Sequence, residues 1–344
     1  MLFDKYNPKD TIVCITGIFG HLGSVVAMNL CRDGYNVRGF CHLSQPAELL
    51  EGLPIEYFKG DVTDPESLDA FMEHESGKKL CVIHCAGIIS IITGYQDQLH
   101  KVNVGGTKNV LDAAIQHHAD KFVYVSSVHA IAIPREGGVI TETKVFDPGK
   151  VIGDYARTKC EATAYVLSRT DYMDITIVHP SGIIGPYDLG RNDLVALVDS
   201  IINGRRYTGV RGGYDMVDVR DVAEGTISAM QHGRRGECYI LSGDYASIEK
   251  IMTTSLKAAG IEHGVTILPL RLARIAAPFA ESFAILTKKK PLFTKYAVHT
   301  IGSNGSFSHA KATAELGYTS RPIEQTLEDT VGYLQEHEKK EPRN

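Results

Sequence analysis

Eight residues near the amino terminus, Thr16-Gly17-Ile18-Phe19-Gly20-His21-Leu22-Gly23, set three glycines at three-residue intervals. They lie between an apolar run, Thr11–Ile15, and a helix-prone run, Ser24–Cys31. A strand, a glycine turn and a helix in that order aim backbone N–H groups out of a helix N-terminus, where a phosphate is favoured. One glycine makes the tight turn, one lets the backbone approach a pyrophosphate, and one lets helix and strand pack closely. The first interval is one residue longer than in the commonest dinucleotide fingerprint. Further on, Ser126-Ser127 closes a second apolar run, and 28 residues after Ser127 comes Tyr155-Ala156-Arg157-Thr158-Lys159. Tyr155 and Lys159, four apart, share one helix face. A Tyr–Lys pair by itself is usually a solvated surface. Glycine turn, post-strand serine and Tyr-x-x-x-Lys in this order are a combination that chance does not supply readily.

These residues need a frame that brings them to one edge. Strand signals recur at Tyr35–His42, Ile55–Phe58, Leu80–Cys85, Lys121–Val125, Ile175–Val178 and Cys238–Leu241. Helical signals fall between them. Asp64-Pro65-Glu66 opens one with a capping aspartate and a proline at its first position, and Leu99–Gln116 carries Val102, Val110, Leu111 and Ala114 at helical spacing. This alternation predicts an α/β fold with a doubly wound parallel sheet covered by helices on both faces. Beyond Pro180 it loosens into helices near 192–202, 221–231, 248–259, 268–286, 309–316 and 323–336. The expected organisation is a dinucleotide-binding domain over 1–180 and a smaller, mostly helical substrate lobe over 181–337, interleaved with the last core strands. A charged, disordered tail is expected over 338–344. The stretch Leu268–Leu286 is apolar but carries Arg271, Arg274 and Glu281, so it reads as a core or pocket-facing helix rather than a membrane contact.

Composition narrows the function. The chain has 344 residues with 43% hydrophobic and 22% charged, enough for one large core and an appended lobe. A net charge of −5 gives no basic footprint for nucleic acid. The opening residues are polar and no apolar run is long enough to span a bilayer, so no signal peptide and a cytoplasmic location are expected. Seven cysteines, mostly inside apolar segments and without a C-x-x-C pair, read as reduced core thiols. Cys81, His84 and Cys85 lie in a strand-like run, and no metal site is expected there.

The chain resembles the extended short-chain dehydrogenase/reductases nearly end to end. The resemblance is carried by Thr16–Gly23, Gly60-Asp61-Val62-Thr63-Asp64, His84-Cys85-Ala86-Gly87, Asn103-Val104-Gly105-Gly106-Thr107, Tyr124–Ser127 and Tyr155–Lys159. Pro180-Ser181-Gly182-Ile183-Ile184-Gly185-Pro186, Val217–Ala223 and Ala314–Tyr318 continue it. Within that family it is most similar to the dihydroflavonol-4-reductase-like branch, which borders the 3β-hydroxysteroid dehydrogenases. The resemblance implies a Rossmann-type fold and a nicotinamide dinucleotide held by Gly17, Phe19, Gly20, His21, Leu22, Gly23, Asp61, Val62, Cys85, Ala86, Gly87 and Asn103. Tyr155, Lys159, Pro180, Gly182 and Ile183 complete that set. It also implies that Tyr155 is general acid in reduction and base in oxidation, that Lys159 lowers its pKa and holds the nicotinamide ribose, and that Ser127 donates to the substrate oxygen. Helices Leu99–Gln116 and Tyr155–Arg169 form a dimer interface in relatives, so a homodimer is an expectation.

Cofactor choice rests on the end of the second strand. A carboxylate there binds the ribose 2′-hydroxyl and repels a 2′-phosphate. Cys41 holds that position, so nothing there repels a phosphate, and strand alternation puts Arg38 and His42 together on one face where either could meet it; NADP(H) is therefore favoured over NAD(H). Nucleotide-sugar epimerases of the family carry an arginine where this chain has Tyr214, and phosphate recognition favours a bidentate arginine. The expected substrate is therefore an apolar ketone, aldehyde or secondary alcohol, flavonoid-, steroid- or aryl/alkyl-like, lined by Ile88, Tyr95, His129, Ile184, Tyr187 and Phe283. Two other readings compete: an epimerase or dehydratase with tightly held NAD, and a non-catalytic NADP(H)-sensing module.

Overall fold

The computed structural model describes residues 4–42, 50–90, 97–134, 137–188, 192–205, 207–275, 277 and 294–340. In chain order these form β1 (Thr11–Thr16), α1 (His21–Arg32), β2 (Asn36–Cys41), β3 (Ile55–Lys59), α2 (Asp69–Met72), β4 (Lys79–His84) and α3 (Asp97–His100). A π-helical turn, Lys101–Gly106, carries α3 into α4 (Thr107–Gln116); then come β5 (Lys121–Val125), α5 (Asp154–Ser168), β6 (Ile175–Pro180) and β7 (Gly182–Ile184). The remainder is α6 (Asp193–Ile202), β8 (Thr208–Val210), β9 (Gly213–Asp218), α7 (Val219–His232), β10 (Glu237–Leu241), β11 (Asp244–Ser247) and α8 (Ile248–Ala258), followed by β12 (Thr266–Leu268), α9 (Lys295–Ile301), α10 (Ala310–Leu316) and α11 (Ile323–Lys340).

The main sheet is parallel throughout, in the order β3-β2-β1-β4-β5-β6-β10. Side chains alternate across it, as strand geometry requires. Val13 and Ile15 of β1 pack with Val25 and Val26 of α1 and with Val222, Ala223 and Met230 of α7. Ile12 and Cys14 face the other way, toward Val110 and Leu111 of α4 and Ala162 and Val166 of α5. Both faces are covered, which is why the strands read as continuous apolar runs. This is the expected doubly wound, Rossmann-like fold. Its strand order reverses between β1 and β4, and a ligand crevice opens at the carboxyl ends of strands at such a point.

After β6 the chain leaves the sheet to build a second core and then returns. Ile184, Val195, Val198, Met216, Ile251 and Leu327 pack together away from the main sheet. A three-stranded sheet, β11-β9-β7, edges this core. α7 packs on the main sheet and β10 joins its edge, so the chain crosses from the second core back to the first. Asp218, Arg220, Asp221, Arg321 and Asp329 tie the crossing together. Arg220 spans Asp218 and Asp329 at 2.7 and 2.6 Å, and Arg321 meets Asp221 at 2.6 Å.

Two expectations shift. The last helix runs on to Lys340, three residues into the stretch expected to be a disordered tail. Residues 270–275 are helical, and the rest of the predicted 268–286 helix lies almost wholly outside the described residues. Among the described residues no helix is long and apolar enough to cross a membrane. All seven cysteines are free thiols.

Candidate active site

The glycine turn sits at the sheet's reversal point. Gly17 has φ +68°, and a Cβ there would lie 2.7 Å from the backbone nitrogen of Ala86, the residue two after β4. A Cβ on Gly23 would lie 2.2 Å from the carbonyl oxygen of Gly17. One glycine therefore satisfies a backbone conformation and the other a close approach. Gly20 caps α1 with no side-chain hydrogen bond to the helix. The first-turn N–H groups have no intrahelical acceptor, which fits a diphosphate. Leu22 is buried in the core and the Phe19 ring packs 5.6 Å from that of Tyr57.

A directional chain of hydrogen bonds fixes this turn to the next loop. The Ala86 N–H donates to Thr16 Oγ1 at 3.3 Å, and Thr16 Oγ1 meets His84 Nδ1 at 2.6 Å. His84 Nε2 meets Thr107 Oγ1 at 3.0 Å, and that hydroxyl donates to the Asn103 carbonyl at 2.7 Å. Since Thr107 donates onward, it accepts from His84, which places the imidazole proton on Nε2 and leaves Nδ1 to accept from Thr16. Burial, with the Lys159 charge adding to it, pushes His84 down to about 3, so the ring is neutral. Asn103, inside the π-helical turn, accepts from the Ile88 N–H at 2.7 Å and donates to the Ile88 carbonyl at 2.9 Å and to Thr158 of α5 at 3.1 Å. It thereby holds the loop carrying Cys85, Ala86, Gly87 and Ile88. Burial raises the Cys85 thiol to about 12, so it is not a thiolate.

Tyr155, Ser127 and Lys159 converge where β5 ends. Ser127 Oγ accepts from the His129 N–H at 3.2 Å, capping the turn Val128–Ala130, and its hydroxyl favours the ionised form of the nearby Tyr155. Burial raises Tyr155 to about 12, against the pull of Ser127. Burial lowers Lys159 to about 8; its Nζ donates to the Val125 carbonyl at 2.9 Å. A Cβ on Gly87 would stand 3.4 Å from that Nζ, so Lys159 faces the loop after β4. Gly153, which precedes α5 at φ +98°, leaves room for Tyr296, whose ring a Cβ there would meet at 2.3 Å.

His129 is enclosed by tyrosines. It stacks on Tyr214 at 5.5 Å and 9°, meets Tyr155 edge-on at 5.9 Å, and has Tyr296 Oη at 2.9 Å from Nδ1. Burial lowers it to about 4. Tyr214 is thus a phenol packed on a neutral imidazole.

Other expected residues are distributed unevenly. Arg38 does not reach the crevice: it lies mid-strand, where Nε donates to Glu56 at 2.9 Å and Nη1 to the carbonyls of Phe71 and Glu73. Strand alternation placed it on the right face but too far from the strand's end. His42 is at that end, 3.8 Å from the Asp61 carboxylate, whose other oxygen accepts from Thr63 at 2.8 Å. Val62 packs against Gly106, where a Cβ would meet it at 2.6 Å. Ile184 is sealed in the second core, so burial between α6 and β9 keeps it from lining a pocket. Tyr187, at φ +70°, packs edge-on to Tyr333 at 5.6 Å. Pro180 ends β6, and Gly182 lies on β7, 3.1 Å from the Asp215 carbonyl measured from its would-be Cβ. Tyr95 and Phe283 lie outside the described residues.

Asn192 is a positioning residue that sequence reading passed over. Its Oδ1 caps α6 through the Leu194 N–H at 2.8 Å, while Nδ2 donates to the Ile183 carbonyl at 2.9 Å and to His21 Nδ1 at 3.3 Å. His21 Nε2 in turn donates to the Pro186 carbonyl at 2.8 Å. The only available signal was an Asn-Asp pair at a helix start, which announces a cap and nothing more.

A parallel sheet with a glycine turn at its reversal point and a Tyr–Lys pair beside it defines a dinucleotide-dependent enzyme. The NAD dependent epimerase/dehydratase family model matches residues 13–242. Sterol demethylase protein B of Methylococcus capsulatus is 28% identical over 94% of this chain and 98% of its own length. A putative dihydroflavonol 4-reductase of Synechocystis is 29% identical, covering 94% of each chain. The crystal structure of gox2253 superposes with a TM-score of 0.82 at 27% identity, over 95% of this chain and 98% of that one. The chain belongs to the NAD dependent epimerase/dehydratase family, in its extended short-chain dehydrogenase/reductase branch. It is an NAD(P)-dependent oxidoreductase.

Proposed function

We propose that this enzyme moves hydride between NADP(H) and an apolar ketone, aldehyde or secondary alcohol, flavonoid-, steroid- or aryl/alkyl-like, with Tyr155 as general acid and base. The observation that carries the reading is the burial together of Ser127, just after β5, and of Tyr155 and Lys159, one helical turn apart on α5. The glycine turn, which any side chain would fill, and the side-chain-free N-terminus of α1 suit the cofactor's diphosphate. Once bound, the nicotinamide supplies or accepts the hydride. Everything else falls to the chain.

Ser127 donates to the oxygen where negative charge gathers, an interaction typically worth ~3 kcal/mol in the transition state. Tyr155, a phenol held at about 12, gives its proton to that oxygen in reduction. Oxidation needs the phenolate. Swinging Lys159 from the Val125 carbonyl toward Tyr155 and the cofactor ribose brings a cation that favours it. The tyrosines packed on His129 present phenols and a neutral imidazole where a nucleotide-sugar enzyme is expected to carry an arginine, which supports an apolar substrate over a nucleotide sugar. NADP(H) is preferred because β2 ends on Cys41 rather than on a carboxylate, with the imidazole of His42 next along the chain. The free cysteines suit the cytoplasm. The helices from Asp97 to Gln116 and α5 are the surface proposed for a homodimer; light scattering on the purified protein reads that directly.

The test is a pair of titrations. NADPH emission should rise at lower concentrations than NADH emission when protein is added, and Tyr155→Phe should keep that binding while losing turnover of ketone substrates at least a hundredfold. Equal or tighter NADH binding removes the cofactor assignment. Turnover surviving in Tyr155→Phe removes the mechanism. Cofactor released only on denaturation moves the reading to an epimerase.

A further inference from the structure

A cavity of about 190 Å³ is lined in part by His129, whose ring meets Tyr155 edge-on. Val128 and Ile131 come from the turn after Ser127, Val151 and Ile152 from the segment leading into α5, and Tyr214 and Tyr296 from the second lobe. Its polar lining is one-sided. Lys150, His299, Thr300 and Ser303 contribute donors, and among the described residues no carboxylate lines it. An engineered apolar cavity of ~150 Å³ holds benzene, so this one is sized for a single six-membered ring with a short substituent.

The mouth has features of a binding surface. Ile133 is 42% exposed and Ile152 59% exposed, each beside the opening. Lys150 stands with them, with 67% of its side chain exposed. It pairs with Asp147 Oδ2 at 3.7 Å, a long contact, while the other oxygen of that carboxylate caps the turn through the Gly149 N–H at 2.9 Å. Apolar side chains exposed together around a basic group suit an amphipathic ligand whose charged end is negative.

We propose that this cavity is a ligand subsite for a single aromatic or alicyclic ring carrying a carboxylate, the ring between Ile131, Val151 and Tyr296 and the carboxylate at Lys150 and His299. Its use as part of the substrate site rests on the reductase reading; its occupancy does not. The inner wall, His129, touches Tyr155, so a ring seated here and a carbonyl at Ser127 belong to neighbouring compartments separated by one imidazole.

The chain has no tryptophan, so Ile152→Trp places a sole indole at the mouth. Titrating 4-phenylbutyrate into that variant should give a saturable emission change, with 4-phenylbutylamine at least tenfold weaker. Lys150→Gln in the same background should weaken the acid about fivefold and leave NADPH binding unchanged. In the unsubstituted protein, 4-phenylbutyrate should raise the melting temperature and the amine should not. A response equal for acid and amine, or no saturable response in the variant together with no shift in the unsubstituted protein, overturns the subsite. Acid binding in a protein that shows no NADPH-dependent turnover upholds the subsite and counts against the reductase reading alone.

Discussion

The imidazole of His129 stands edge-on to the phenol ring of Tyr155, centroids 5.9 Å apart at 70°, while its flat face lies against Tyr214. The same ring has a phenol oxygen near each nitrogen, Tyr296 at 2.9 Å and Tyr214 at 3.4 Å. One side chain therefore packs against Tyr155 and against two tyrosines from the second lobe. His129→Phe retains the stack and strands both buried hydroxyls. The expected cost is ~1–3 kcal/mol of stability, read by urea unfolding, with NADPH affinity within twofold of normal. Loss of NADPH binding would mean that the ring supports the cofactor crevice instead.

Acid should unfold this protein earlier than carboxylate titration alone would. Burial lowers His84 to about 3 and His129 and His179 to about 4, and it lowers His21 as well. Each is neutral in the fold and has a pKa near 6.5 once unfolded. Their stabilising contribution is complete above pH 6.5 and is lost as pH falls toward 4, because the unfolded chain takes up the protons first. Three such groups give a slope of roughly 4 kcal/mol per pH unit at its steepest. Urea midpoints measured between pH 7 and 4.5 should fall steeply; a flat profile across that window would contradict the buried neutral histidines.

Lys159 trades stability for chemistry. Its lowering to about 8 by burial means that the folded protein disfavours the ammonium at neutral pH. The penalty is present below the folded value and vanishes as pH rises toward the unfolded lysine range. Lys159→Met removes a mismatch of roughly 3 kcal/mol, offset in part by the Val125 carbonyl it leaves without its donor. The variant should melt higher than the parent at pH 7, by less at pH 10, and show no turnover. A lower melting temperature at pH 7 would show that the hydrogen bond outweighs the buried charge.

The ionic cluster at the chain crossing should be intolerant of single deletions. Arg321 neutralises Asp221 and sits 3.9 Å from the fully buried Asp218 carboxylate. Arg321→Met leaves buried acids short of a partner, and removal of one member of such a set costs ~3–5 kcal/mol. The paired change Arg321→Met with Asp221→Leu should recover part of it, measured as the coupling energy of a double-mutant cycle.

Much of this architecture was legible because its causes are local. The β1 run, the glycines and the capping pair Asp64-Pro65 each act through neighbours in sequence, and strands buried on both faces announce themselves as apolar runs. Tyr155 and Lys159 share a helix face by spacing alone. Arg38 shows the limit: alternation gives the face of a strand but not which crossing helix will supply carbonyls to a guanidinium. Ile184 shows another, since an apolar residue beside a catalytic loop is equally at home in a second core built by segments a hundred residues away. Asn192 and Tyr296 act through partners distant in sequence, and nothing in their immediate neighbours marks them.

The contact between His21 and Asn192 has a consequence for recombination. The residue that opens α1 is held by the residue that caps the first helix of the second lobe, and the same asparagine holds Ile183. A chimaera that takes residues up to Pro180 from this chain and the remainder from a relative cuts between these partners. Grafts that carry the Asn192 cap with the amino-terminal half inherit a matched grip; grafts that do not must re-evolve one, whatever substrate the borrowed lobe was shaped for.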